Sequence, residues 1–285
     1  MKDQPLEVTI TYTSEKLSQK PYKLLILILS DIMASRELAW RLFLRDISAQ
    51  YRQSLLGIFW AFFPPIITAA IFILLQSRNI ISTTTNIPYP AYVLIGTTLW
   101  QIFADSVNAP LKSTTGAKPY LVKIYFPREA LLISSFLGVL FNVLIRMIIV
   151  LGVFIYFKIP LHGGLLLAPI GIFLLILLGM VIGILITPIG MLYSDVSTSL
   201  PIILQLLFFA TPVVYTLPEK FPFSILNIVN PVTPLLVNAR NLMINGVFDN
   251  TSHFIFISTI TIISAFISLA VFRKSLPIII EKLGT

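Results

Sequence analysis

Residues 45–67 read RDISAQYRQSLLGIFWAFFPPII, and this stretch decides the fold of the chain. The part before Gly57 is basic and amphipathic, whereas the part after it is almost entirely apolar. A helix that lies flat on a membrane and then turns into a membrane-spanning segment has this pattern. The stretch therefore predicts a membrane protein and indicates which end faces the cytosol, since basic residues favour that side.

The basic part belongs to a predicted surface helix over residues 36–53. Apolar residues recur there at helical spacing and occupy one face, while basic and polar residues occupy another. The apolar face holds Trp40, Phe43, Leu44, Ile47 and Tyr51, and the other face holds Arg41, Arg45, Ser48 and Arg52. We interpret the segment as an amphipathic interface helix on the cytoplasmic membrane surface.

Composition agrees with a membrane protein. Of the 285 residues, 56% are hydrophobic and 11% are charged, and the mean hydropathy is +0.92. Soluble domains carry about 25% charged residues, so the bilayer must solvate most of this chain. The net charge of +8 comes from residues between apolar runs, which indicates topology signals rather than a nucleic-acid surface. The absence of cysteine excludes disulfides, thiol nucleophiles and thiolate metal sites.

Six apolar segments are predicted to cross the membrane, since a span needs about 20 residues. They cover residues 55–75, 91–109, 130–157, 165–192, 200–215 and 253–272. Basic residues are concentrated before the first span, between spans two and three, and after the sixth. By the positive-inside rule, we expect both termini and the loop between spans two and three of this multi-pass protein to be cytoplasmic. The predicted fold is an all-α integral membrane protein with six transmembrane helices.

Residues 211–250 contain five prolines among apolar residues. Their length and prolines predict two short helices that enter the membrane from the outer side and return, as a re-entrant outer helical hairpin. Irregular backbone at membrane depth requires a cover of protein or a water-filled cavity.

Signals for catalysis and metal binding are absent from the sequence. No G-x-x-x-x-G-K-[ST] phosphate loop occurs, so the chain is not expected to bind and hydrolyse ATP by itself. His162 and His253 lie at predicted outer membrane edges without acidic neighbours, and no catalytic triad or close carboxylate pair is visible. We predict no catalytic residue, no metal site and no cofactor in this chain.

Four motifs follow one another along the chain. The first, R-D-x-x-x-x-Y-[RK]-x-S-x-L-G-x-x-W-x-x-x-P, runs from Arg45 to Pro64. The others are KIYFPRE at 123–129, YSD at 193–195 followed by TPVVY at 211–215, and Asn230-Pro231 with Pro234 and Arg240. In this order and spacing they resemble the polysaccharide-exporting permeases of the type-2 ABC exporters. Ser194 departs from the arginine that the family often has there.

The resemblance implies an organisation for the whole chain. Residues 1–35 would form a cytoplasmic N-terminal extension, and residues 36–285 a single transmembrane permease domain. Two copies would form a homodimer with a channel between them, lined by spans one and five. Each copy would bind a separate ATPase subunit, which holds ATP and Mg²⁺. The implied cargo is a polysaccharide linked to undecaprenyl diphosphate.

The loop at 118–129 is, by this resemblance, the coupling helix that docks on the ATPase subunit. The residues implied to make that contact are Tyr125, Phe126, Pro127, Arg128 and Glu129. Proline is well suited to open such a short helix, because its missing N–H would be unpaired in the first turn anyway. An ordinary charged loop that caps span three is the alternative.

Two interpretations remain open for Arg45 and Arg52 of the interface helix. They could meet the diphosphate of a lipid-linked substrate at the channel entrance, since arginine suits bidentate phosphate recognition. They could equally bind anionic lipid headgroups of the membrane, each adding about 1 kcal/mol.

A glycan channel is expected to present aromatic rings, because sugars stack on them. The predicted lining residues are Trp60, Trp100, Phe103, Arg146, Phe208, Phe209 and Tyr215. Core packing or a lipid-facing position is the alternative for any single ring. A charge within a span costs about 2.5–3.5 kcal/mol, which favours an interior or cavity position for Arg146. Pairing with Asp105 is disfavoured by about 16 Å of vertical mismatch, so we expect Arg146 to line the path or to snorkel outward.

Other functions are also weighed. One is a type-2 ABC exporter of a small molecule or drug. Another is an ATP-independent channel or secondary transporter, which would need coupling carboxylates at mid-membrane, where only Asp105 comes close. A membrane-embedded glycan-processing enzyme would need acidic or histidine pairs near a membrane surface, and none is found.

Overall fold

The fold is described from a computed structural model, for residues 30–31, 33–52, 57, 59–80, 85–121, 127–217 and 224–284. Within these residues all regular elements are helical and no strand occurs, which confirms the predicted all-α class. A 3₁₀-helix at Gly163–Leu167 leads into α6. The α-helices are α1 (Arg36–Arg52), α2 (Phe59–Ser77), α3 (Tyr89–Gly116), α4 (Lys118–Leu121), α5 (Glu129–Tyr156), α6 (Ala168–Leu192), α7 (Ser194–Ala210), α8 (Ser224–Val229), α9 (Val232–Ile244) and α10 (Thr251–Gly284).

Several of these helices have the length and composition of membrane spans. Four stretches of the described chain qualify: Phe59–Ser77, Glu129–Tyr156, Gly163–Leu192 and Thr251–Lys282. Each coincides with one predicted span. The two remaining predicted spans correspond to α3, which is long but more polar, and to α7, which is apolar but has 17 residues.

Helix α3 is longer than the sequence predicts. It has 28 residues and continues through Pro110 to Gly116, past the predicted end at residue 109. An interior proline removes one backbone hydrogen bond, which normally weakens a helix. Here Pro110 is buried beside Gly183 of α6, so tertiary packing offsets that loss.

Helix α6 is the centre of the bundle and packs against α3, α9 and α10. It is apolar on all sides, as expected for a helix surrounded by protein. Gly179 and Gly183 form a small-xxx-small pair on the face towards α3, where a Cβ on Gly183 would overlap the carbonyl of Val107. Small residues at such spacing let two helix backbones approach closely, and this approach fixes α3 against α6.

Helices α2 and α7 contact this core through narrow stripes of buried side chains. Helix α2 buries only Ala61, Pro65 and Ala69, and α7 buries only Leu200, Leu204 and Phe208. Both helices contact α3, and both expose large apolar side chains to their surroundings. They are therefore the least embedded apolar helices of the described chain.

The amphipathic helix predicted over 36–53 is present as α1 and packs on α5. Ala39 and Phe43 are buried, and the Phe43 ring lies 6.2 Å from that of Phe141 on α5. Trp40 and Leu44 of the predicted apolar face stay exposed. The helix thus has one apolar strip packed on the protein and another that is exposed. Contact of the exposed strip with a membrane surface remains a prediction.

Side-chain contacts group the segments into two ends of the bundle. We call the end that holds α1, α4 and Arg273 the basic end, because most basic residues of the described chain lie there. We call the end that holds α8, α9 and residues 211–217 the hairpin end. Two short helices, α8 and α9, are present within residues 211–250, while their outer location and re-entry into the membrane remain predictions.

Candidate functional site

The predicted coupling loop lies at the basic end. It begins with α4 and ends at Glu129, the first residue of α5. Pro127 is exposed, and Arg128 and Glu129 are half-buried. Tyr125 and Phe126 lie outside the described residues. The three described members therefore sit together where the loop enters α5.

Glu129 has a partner within the chain. Its carboxylate Oε1 lies 3.4 Å from Nη1 of Arg273 on α10. The other terminal nitrogen of Arg273, Nη2, donates to Asp31 Oδ2 at 2.6 Å. One guanidinium thus meets carboxylates from two other parts of the chain, a cluster that sequence reasoning did not find.

Arg45 and Arg52 are both exposed on α1, as expected for residues that meet a phosphate or a headgroup. Arg45 donates from Nε and Nη2 to Asp46 Oδ1, at 2.9 and 2.8 Å. Its guanidinium also lies 5.8 Å from the ring centre of Tyr120 on α4. Arg45 therefore connects α1 to the start of the predicted coupling loop.

The expectation that Arg146 does not pair with Asp105 was wrong. Its Nη1 lies 2.7 Å from Asp105 Oδ2, and its side chain is 6% exposed. The vertical mismatch was overestimated because α3 continues to Gly116. Asp105 lies 11 residues before that end, and Arg146 lies 17 residues after the start of α5. The offset is about 9 Å at 1.5 Å per residue, which helix tilt and two side chains span.

Arg146 also reaches α2. Its Nε donates to the Ala61 carbonyl at 3.3 Å. Pro65 lies four residues after Ala61 and has no N–H, so this carbonyl lacks its usual helical partner. Arg146 therefore supplies the donor that a proline has removed, and it joins α5, α3 and α2.

The predicted lining aromatics fall into two groups, apart from Tyr215, which is half-buried and donates from its Oη to the Phe209 carbonyl at 2.9 Å. Trp100, Phe103 and Phe208 are buried, and the Trp100 ring lies 5.3 Å from Phe103 and 5.6 Å from Phe208. Trp60 and Phe209 are 53% and 59% exposed. The buried three form packing between α3 and α7, while the exposed two lie on the outward surfaces of α2 and α7.

The segment that follows α7 has four consecutive carbonyls bound by side chains. Arg240 Nη1 donates to the carbonyls of Pro212 and Val213, each at 3.0 Å. Tyr89 Oη donates to the Val214 carbonyl and Tyr92 Oη to the Tyr215 carbonyl, also at 3.0 Å. We call these three donors the carbonyl clasp. It satisfies backbone groups that an irregular segment leaves without helical partners.

The geometry around Arg240 supports the clasp. Its side chain is 2% exposed, and its guanidinium lies 4.0 Å from the ring centre of Tyr92. Gly96 faces the Val213 carbonyl, and a Cβ at that position would overlap the carbonyl oxygen. The sequence motif contained Arg240 without a role for it, and no local pattern pointed to Tyr89 or Tyr92.

Asn230 makes hydrogen bonds to two segments at the hairpin end. Its Nδ2 donates to Thr211 Oγ1 at 2.8 Å, and its Oδ1 accepts from the N–H of Val232 at 3.0 Å. Asn230 thus connects the end of α7 to the start of α9. A cavity of about 200 Å³ lies beside Tyr92 and Arg240.

No metal site is formed by the part of the chain that the structure describes. No group of three or more His, Cys, Asp or Glu side chains comes together there. The sites instead consist of ion pairs, carbonyl-bound donors and aromatic surfaces on apolar helices.

Apolar helices of spanning length, a buried ion pair between them and a side-chain-bound irregular segment define a helical integral membrane protein. Residues 37–244 match the family model described as ABC-2 type transporter. The chain belongs to the ABC-2 type transporter family, which implies a separate ATP-binding partner subunit.

Curated relatives agree with this family. Two O-antigen export system permease proteins RfbA from Klebsiella pneumoniae are similar to the chain, at 25% identity over 235 residues and 26% over 236. Each match covers 81% of this chain and 88% of the relative. A protein of the same name from Myxococcus xanthus is 25% identical over 220 residues, or 75% of this chain and 83% of the relative.

Proposed function

We propose that this chain is the channel-forming permease subunit of an ATP-driven exporter that moves lipid-linked polysaccharide across the cytoplasmic membrane. The observation that carries the proposal is the similarity to O-antigen export permeases along about four-fifths of the chain. Two copies form a homodimer around the path, and each binds one ATP-hydrolysing subunit. ATP and Mg²⁺ belong to that subunit, and the lipid-diphosphate end of the cargo enters near Arg45 and Arg52.

The proposed topology has six spans, with α3 and α7 added to the four helices that qualify by length and composition. The concentration of basic residues supports a cytoplasmic basic end and cytoplasmic termini. Residues 211–250 then form a re-entrant hairpin on the outer side. The carbonyl clasp supports this placement, because irregular backbone is tolerated at membrane depth only where its polar groups have partners.

One face of α7 supports a path for the cargo along this helix, rather than contact with lipid on all its exposed sides. Thr198, Gln205 and Phe209 are exposed and share one face of this apolar helix, at offsets of 7 and 4 residues. Polar side chains in a span normally face the bundle interior or an aqueous cavity. We therefore assign this face of α7 to the path, together with Trp60 on α2 and with Tyr215. Trp100, Phe103, Phe208 and Arg146 support the wall from within the protein.

The ATPase subunit is proposed to act on the loop at 118–129. Pro127 is exposed and Arg128 is half-exposed, which supports a docking role for that part of the loop. Closure of the two ATPase subunits on ATP would displace the loop. The helices connected to the loop would then move and change the shape of the path. A polymer is longer than any closed cavity, so stepwise movement through a continuous channel is the mechanism that suits it.

The deciding experiment is co-purification of the chain with its ATP-binding subunit, followed by an ATPase assay in lipid vesicles. We expect a stable complex whose ATP hydrolysis changes when lipid-linked glycan is added. The substitution Arg128→Ala should weaken the complex. Failure of the wild-type chain to bind the ATPase would refute the proposal, and a complex that responds to small amphipathic molecules but not to glycan would refute its substrate.

A further inference from the structure

Arg273 joins three segments that are distant in sequence. It lies near the C-terminal end of α10, while Glu129 opens α5 and Asp31 precedes α1. Asp31 and Arg273 are 242 residues apart, yet Nη2 and Oδ2 are separated by 2.6 Å. The Glu129 contact of 3.4 Å is an ion-pair distance and not a short hydrogen bond.

The cluster is only partly exposed to solvent, and Glu129 is its most buried member. The side chains of Arg273, Asp31 and Glu129 are 29%, 39% and 14% exposed. Partly buried pairs are screened less than surface pairs, so the contacts hold the segments more firmly than an exposed ion pair would. A planar guanidinium can face two carboxylates at once with two separate nitrogens, which a lysine ammonium does not reproduce in the same geometry.

Each member of the cluster is rigidly continuous with a helix. The Ser35 N–H donates to the Asp31 carbonyl and the Ala39 N–H to that of Ser35, both at 2.9 Å, so Asp31 moves with α1. Glu129 is the first residue of α5, directly after Arg128. Arg273 belongs to α10, whose 34 residues pack against α6 and α9.

We infer that Arg273 is a positioning residue that transmits displacement of residues 127–129, at the start of α5, to α10 and α1. Glu129 then acts inside the chain as the receiving group and is not a contact to the ATPase. Helix α10 provides a route to the hairpin end, because it packs on α9, which carries the clasp residue Arg240. The inference rests on the proposed function, since it takes this loop as the place where the ATPase subunit acts.

A double-mutant cycle on the full chain with its ATPase subunit tests this inference. Glu129→Gln, Arg273→Gln and the double variant are compared with Lys274→Gln, which alters an exposed cation next to Arg273. Two quantities are measured in lipid vesicles: the affinity for the ATPase subunit and the amount of glycan moved per ATP hydrolysed. Only the amount of glycan moved per ATP should depend on the transmission of displacement through Arg273.

Each single variant should keep its affinity for the ATPase and lower glycan moved per ATP at least about fivefold, the lower limit of typical coupling between sites. The double variant should be no worse than either single variant, because both changes break one connection. Lys274→Gln should leave both quantities unchanged. Additive losses, or a Glu129→Gln variant that binds the ATPase more weakly while Arg273→Gln does not, would overturn the inference.

The two proposals fail in different ways. A wild-type chain that binds no ATPase contradicts the proposed function, and this arm needs no variant. In that case the same cycle is run on the thermal unfolding of the isolated chain in lipid. Non-additive losses of stability support the connection between Glu129 and Arg273, and additive losses overturn it.

Discussion

The guanidinium of Arg146 lies 2.7 Å from the carboxylate of Asp105 and joins α5 to α3 inside the helix bundle. The same guanidinium donates to the Ala61 carbonyl that Pro65 leaves without a helical partner. Since α2 buries little else, this contact is one of the few that hold α2 to the core. The position of α2, which we propose to line the path, therefore depends on a buried charge on another helix.

Removal of one partner of this pair should be strongly destabilising. Asp105→Asn leaves the Arg146 charge buried without its carboxylate, which typically costs about 3–5 kcal/mol. Adding Arg146→Gln should recover much of the loss. Asp46→Asn, which breaks the exposed pair with Arg45, should cost below about 1 kcal/mol. Thermal unfolding in detergent measures all four proteins, and equal losses for Asp105→Asn and Asp46→Asn would contradict the prediction.

Arg240 should control the order of residues 211–217. Arg240→Lys removes the planar group that lies over Tyr92 and donates to two carbonyls. Hydrogen exchange of the backbone amides in this segment should accelerate, with little change in α5. Arg78→Lys is the matched control, because Arg78 is an exposed arginine beyond the end of α2. Unchanged exchange in Arg240→Lys would show that the clasp does not order the segment.

Close packing of α6 on α3 gives a third prediction. Gly183→Ala places a methyl group against the Val107 carbonyl and should cost about 1–3 kcal/mol of stability. Gly152→Ala on α5 meets open space and should be neutral or stabilising by up to about 1 kcal/mol. A thermal unfolding series compares the two variants. If both behave alike, the close approach of α3 and α6 is refuted.

The face of α7 that we assign to the path can be tested by single cysteines, because the natural chain has none. Gln205→Cys should react with a hydrophilic maleimide in intact membranes, since the reactive thiolate forms where water reaches the sulfur. Ile203→Cys lies on another face of the same helix and is also exposed in the single chain, at 55%. It should stay unlabelled in lipid. Equal labelling of the two cysteines would rule out an aqueous path along this face.

Most of the fold could be predicted because hydrophobicity is a local property. Apolar runs of spanning length locate α2, α5, α6 and α10, and the helical spacing of Phe43 and its neighbours locates α1. The prolines of 211–250 predict that short helices follow the fifth span, but that span was predicted over 200–215, whereas α7 covers Ser194–Ala210. Helix α3 was predicted too short, because its continuation past Pro110 depends on packing against Gly183.

Less of the site could be predicted, because its contacts join residues far apart in the chain. The motif contained Arg240 and the TPVVY segment, but only the packing of α9 on α3 brings them together with Tyr89 and Tyr92. The two tyrosines are ordinary aromatic residues in sequence, with no spacing that marks them as donors. The Arg273 cluster was missed for the same reason.

Sequence reasoning established that the bilayer is the solvent, that apolar helices follow one another in this order, and which family the chain resembles, but it missed the ends of α3 and α10 by 7 and 12 residues. These features follow from residue-by-residue hydrophobicity, helix periodicity and short motifs. Only the tertiary structure decided that Asp105 meets Arg146, that Trp100 and Phe208 are buried while Trp60 and Phe209 are exposed, and that Glu129 faces Arg273. Such contacts depend on the relative depth and rotation of packed helices, and the surrounding helices set both.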